Sequence, residues 1–73
     1  MNKQTQIKFE EFRSALKNVD WHYRYSEGRD YYRGREKMER AVRIRDELMA
    51  IQEARFDAVQ IWNEAAPEGE RIV

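Results

Sequence analysis

The segment Tyr31–Ala66, YYRGREKMERAVRIRDELMAIQEARFDAVQIWNEAA, decides the fold. It contains no Pro, and its one Gly, Gly34, lies near its start. Ala, Glu, Arg, Met and Leu dominate it, residues that lose little side-chain freedom in a helix. Glu36 with Arg40 and Glu39 with Arg43 stand four apart with the acid first, the favourable order for a helical ion pair. The segment therefore predicts one long helix from about Asp30 to Ala65, roughly 50 Å at helical rise. Asp30 stands where an N-cap belongs, and Pro67 stops the helix. Residues 67–73 read as a flexible tail behind a domain spanning residues 1–66.

Toward the N-terminus, nothing breaks a helix from Thr5 to Val19. Phe9, Phe12, Leu16 and Val19 recur at spacings of three, four and three, which is one helical stripe, and Ile7 lies off it. This predicts a first helix over Thr5–Val19, with an extension to Tyr23 open and Asn2 or Thr5 as its cap. Ser26, Gly28 and Asp30 supply turn and capping chemistry between the helices.

Two helices of such unequal length form an antiparallel all-α hairpin in which the first, roughly 22–30 Å long, covers about half of the second. The uncovered half carries Ile51, Phe56, Val59, Ile61 and Trp62. Large apolar side chains left in water mark an interaction surface. Ile51, Phe56, Val59 and Trp62 are therefore the expected interface of a homodimer that closes into a helical bundle. Arg55 falls within the apolar face, so the seam is not a clean coiled coil. The alternative is a break near Ala50–Gln52 and a monomeric three-helix bundle, although no Gly or Pro marks one.

Composition limits the function. Leu, Ile, Val and Phe number 14 of 73 residues, about 19 %, a poor core for a folded chain. Fourteen basic residues balance fourteen acidic ones, and nine aromatics are present, which argues against disorder. So small a domain buries little surface alone, a further reason to expect an oligomer. There is no Cys and only one His, so neither a disulfide scaffold nor a zinc site of the usual kind is expected. No apolar run approaches the roughly 20 residues of a membrane span, and the N-terminus lacks a signal-peptide pattern. The expected location is the cytoplasm, away from membranes.

Charge is unevenly placed. Residues 21–45 carry eight basic and four acidic side chains, whereas residues 46–73 carry two and seven. Within the basic part, Trp21, Tyr23, Arg24, Tyr25, Arg29, Tyr32 and Arg33 mix aromatic and guanidinium groups, and Arg33, Lys37 and Arg40 share a helical stripe. Such a mixture can stack on bases and neutralise phosphates, or anchor a protein interface. It can also simply close the end of a hairpin, with polar tips reaching water. Glu27, Asp30, Glu36 and Glu39 interrupt the basic run and weaken the nucleic-acid reading. A catalytic set would have to combine His22 with Ser14 or Ser26 in a hairpin that offers no pocket, so no enzyme, cofactor or metal is expected.

The Met1-Asn2-Lys3-Gln4 start and the hairpin with its Trp-Tyr-Arg turn give the chain an overall character over residues 1–66. In that character it resembles the small early accessory proteins of lambdoid bacteriophages, some of which form helical hairpins and bear on the choice between lysis and lysogeny. The resemblance carries no diagnostic motif and assigns no site residue. It implies a phage factor that binds and modulates a host protein. The expected function is thus a non-enzymatic protein–protein interaction module, with nucleic-acid binding through residues 21–45 as the alternative.

Overall fold

In the computed structural model, which describes every residue from Met1 to Val73, the stretch expected as one long helix is two. The chain forms α1 (Lys3–Lys17), α2 (Gly28–Met49) and α3 (Arg55–Ala65) and contains no strand. Short 3-10 turns lie at Tyr23–Tyr25 and Glu68–Glu70. The all-α expectation holds. The helix expected over 30–65 is corrected to a pair that folds back between Ala50 and Ala54, as in the three-helix alternative.

The first helix starts at the expected cap. The Asn2 Oδ1 accepts from the Thr5 backbone N–H at 2.8 Å, satisfying one of the orphan donors of the first turn. Phe9, Phe12, Ala15 and Leu16 are buried, and Ile7 is exposed as its off-stripe position requires. The helix ends at Lys17, where the Asn18 side chain returns to the Ser14 carbonyl. Tyr23, expected as the far limit of an extended α1, belongs instead to a separate turn.

The second helix begins at Gly28, whose φ of +58° is costly for any residue with a Cβ. Asp30 is not the cap; it sits in the first turn, where its charge favours the positive end of the helix. Gly34 has a separate role. A Cβ placed there would stand 2.2 Å from the Tyr23 Cβ, so the Tyr23 side chain packs directly on the α2 backbone. Glycine inside a helix costs about 1 kcal/mol relative to Ala. Here that loss is offset by burial of Tyr23, which is only 8 % exposed.

The break after α2 has a tertiary cause. Ala54, Ala58, Trp62 and Ala66 repeat every fourth residue and are all buried. Their small side chains let α3 approach its neighbours closely while Trp62 fills the space between them. In a straight helix this stripe would lie in water, at roughly 1.5–3 kcal/mol for a large side chain alone. A few backbone bonds, each of about 0.5–1.5 kcal/mol net, are the only loss on bending. The turn also recovers several of them, through Ile51 N–H to the Leu48 carbonyl at 3.1 Å and Ala54 N–H to the Ile51 carbonyl at 3.0 Å. The Arg55 guanidinium donates to the Met49 carbonyl at 2.8 Å, capping the end of α2.

Each helix supplies one of the three largest fully buried side chains: Phe12, Leu48 and Trp62. The molecule measures 40 × 24 × 16 Å, its long axis set by the 22 residues of α2. Residues 67–73, expected as a flexible tail, lie back against α3. The Trp62 Nε1 donates to the Glu70 carbonyl at 2.7 Å, and Asn63 exchanges two hydrogen bonds with the Ile72 backbone.

Candidate functional site

Packing divides the aromatic and basic residues singled out in the sequence into two groups. Trp21, Tyr23 and Arg24 belong to the structure itself. Trp21 is half-buried and meets Trp62 edge to face, with ring centroids 5.3 Å apart. Tyr23 is wedged at Gly34 and tilted against Tyr31 at 5.5 Å. Arg24 lies over the Tyr23 ring at 5.2 Å and pairs with Glu70 at 2.8 Å. That hydrogen bond is the main reason its guanidinium is held above its ordinary pKa. These contacts tie the first turn to the C-terminal residues; they enclose Tyr23 and half-bury Trp21, while Arg24 keeps about half of its side chain exposed.

Tyr25, Arg29, Tyr32, Arg33, Lys37 and Arg40 remain exposed. Tyr25 is 87 % and Tyr32 66 % accessible. Arg29, Arg33, Arg40 and Arg43 follow one another at spacings of four, seven and three, with Tyr32 and Lys37 on the two flanks. Gly34, Met38, Ala41, Ile44 and Leu48 bury the other side of the same helix. The periodicity of α2 therefore points this stripe away from α1 and α3. From Arg29 to Arg43 it runs about 21 Å at helical rise.

Neighbouring cations are occupied, and the stripe is not. Lys8 pairs with Glu47, Arg35 with Glu39 at 2.9 Å, and Arg45 with Asp46 at 3.0 Å. Arg45 also stands over the Trp62 ring at 4.5 Å. Pairing with Glu39 raises the pKa of Arg35. Arg29, Arg33, Lys37, Arg40 and Arg43 make no ion pair. Glu36 and Glu39 lie among them and line the same shallow depression as Arg33, Lys37, Arg40 and Arg43. The charge on this face is thus predominantly, not wholly, positive. Arg43 is absent from the stripe expected in the sequence, although its spacing from Arg40 was the available signal.

The four residues expected at a dimer interface are dispersed. Trp62 is 1 % exposed within its own chain. Ile51 is half-buried against the core, Val59 is half-buried, and Phe56 is 76 % exposed. One of the two reasons to expect a second chain was a helix too long for α1 to cover, and the fold-back of α3 removes that overhang. Beyond Phe56, the outward side of α3 carries Asp57, Gln60 and Glu64, which line a groove shared with Glu10 and Arg13 of α1.

No group of three His, Cys, Asp or Glu side chains is arranged to hold a metal ion. No helix is long and apolar enough to cross a membrane. The arrangement defines an all-α three-helix bundle with one solvent-facing basic helix surface. The chain matches no protein-family model, no curated protein and no solved structure.

Proposed function

We propose that the protein is a non-enzymatic protein–protein interaction module whose docking element is the outward face of α2, and that its partner presents an acidic surface. The observation that carries this reading is the row Arg29, Arg33, Lys37, Arg40 and Arg43, exposed and without ion pairs along one helix. Arg and Tyr are the residues that most often anchor protein interfaces, and Tyr32 flanks the row. Glu36 within it suits a mixed-charge protein surface better than a phosphate backbone. The resemblance to phage accessory proteins favours a host protein as the partner and the cytoplasm as the place.

Nucleic-acid binding is the second reading. It is favoured by the same unpaired cations together with the bare ring of Tyr25, which could stack on an unpaired base. Affinity capture from a bacterial lysate, with and without nuclease, separates the two. Capture that survives nuclease and is lost with R33E/R40E supports the protein partner. Capture abolished by nuclease, with a salt-sensitive shift of RNA or DNA, replaces it with the nucleic-acid reading. Capture indifferent to R33E/R40E removes α2 from either role.

A further inference from the structure

The outward faces of α2 and α3 carry matching patterns of opposite sign. On α2, Arg33 and Arg40 stand seven residues apart with exposed Tyr32 immediately before the first of them. On α3, Asp57 and Glu64 stand seven apart with exposed Phe56 immediately before the first. Seven residues are two helical turns, about 10.5 Å, so each pair projects from one side of its helix at the same separation. No ion pair joins the two stripes within one molecule. On α2 the stripe is turned away from Gly34, Met38, Ala41 and Leu48, with buried Ile44 at its edge; on α3 Asp57 and Glu64 border the groove shared with Glu10 and Arg13 of α1.

We propose that the acidic face of α3 in one molecule docks on the basic face of α2 in another, so that the protein associates head to tail with copies of itself. This rests on the reading of α2 as a docking face and names one occupant for it. Carboxylates at Asp57 and Glu64 oppose guanidinium groups at Arg33 and Arg40, and the equal spacing satisfies both pairs whether the helices run parallel or antiparallel. Phe56 and Tyr32 supply apolar area at the margins. The contact joins two different surfaces, so each added molecule leaves one face of each kind free, and growth continues unless the rotation closes a ring. Exposed ion pairs are individually weak and screened by salt, so the association is weak and salt-dependent.

Sedimentation equilibrium of the full chain at low salt tests the proposal. The weight-average mass rises above the monomer with concentration and returns to the monomer near about 1 M salt, where the screening length is about 3 Å. R33E/R40E alone and D57K/E64K alone each sediment as monomers, and an equimolar mixture of the two recovers association. Circular dichroism confirms that each variant is folded, and E64K replaces the double variant should D57K weaken the start of α3. A wild-type monomer at every concentration overturns the proposal, as does association that survives both charge reversals. If the wild-type monomer still captures an acidic protein through α2, self-docking fails while the docking reading stands. Loss of both removes both.

Discussion

The two junctions of this bundle reverse the chain by different means. The first, between α1 and α2, is ten residues long by its bounds at Asn18 and Glu27 and is held by side chains from distant parts of the chain. Tyr23 is pinned at Gly34, Trp21 meets Trp62, and Arg24 reaches Glu70. The second, between Ala50 and Ala54, has no Gly, Pro or aromatic residue. It is closed by backbone bonds and by the Arg55 guanidinium on the Met49 carbonyl. The first has a turn residue of its own, Gly28 at φ +58°, beside those distant ties. The second is a turn because α3, on its far side, has a place to be buried. A residue's preference for helix is thus overruled downstream, by Trp62, rather than at the turn itself.

Removing the downstream cause should have the largest effect. Trp62→Ala should cost about 3–5 kcal/mol, the range for truncating a buried aromatic, and should release α3 from the bundle. Urea unfolding measures the loss, and amide exchange in residues 55–66 should rise more than in α1. If exchange rises equally everywhere, the second junction does not depend on Trp62.

Gly34→Ala attacks the first junction. The new methyl displaces Tyr23, an overpacking loss of about 1–3 kcal/mol, against a gain of about 1 kcal/mol in helix propensity. Adding Tyr23→Gly removes the Cβ that the new methyl meets, so the double variant should be less destabilised than the sum of the single ones. Strict additivity would show that Tyr23 does not constrain Gly34.

Smaller again is Arg55→Ala, which frees the Met49 carbonyl at the second junction. A loss of about 0.5–1.5 kcal/mol in chemical denaturation is expected, with Arg55→Lys recovering part of it.

The smallest effect lies outside both junctions and serves as their control. Lys8 holds the Glu47 carboxyl below its ordinary pKa of 4.5, first by hydrogen bond and then by charge, with Arg43 adding to it. A carboxylate depressed in the folded state contributes stability that is present above its unfolded pKa and lost as pH falls through the folded one. Acidification should therefore loosen α1 from α2 slightly, and Glu47→Gln should flatten that part of a plot of Tm against pH while leaving the effects of the junction variants unchanged.

Much of the bundle was legible in the chain. The Phe9, Phe12, Leu16 stripe, the Asn2 cap and the stop before Pro67 are local signals, and each appears where local physics puts it. The break after Met49 was not legible as a break, because Ala50, Gln52, Glu53 and Ala54 all tolerate a helix. Its signal was the fourfold repeat Ala54, Ala58, Trp62, Ala66, which reads equally well as one face of a longer helix. Gly34 was visible as a helix interruption, but its partner Tyr23 was not, since close approach is a property of two segments. The candidate site was half legible. Sequence mixes Tyr23 and Trp21, which pack inward, and Arg24, which is tied to Glu70, with Tyr25, Tyr32 and Arg33, and only packing separates them.

The meeting of Trp21 and Trp62, with ring planes at 74°, gives the chain a reporter of its own. The two indoles lie 41 positions apart in sequence and are the only two in the protein, so their electronic coupling exists only while α3 is closed against the first turn. Near-ultraviolet circular dichroism should carry that coupling as a signal distinct from helix content. Opening of α3 can then be followed in the unlabelled protein while α1 and α2, which carry no Trp, remain helical.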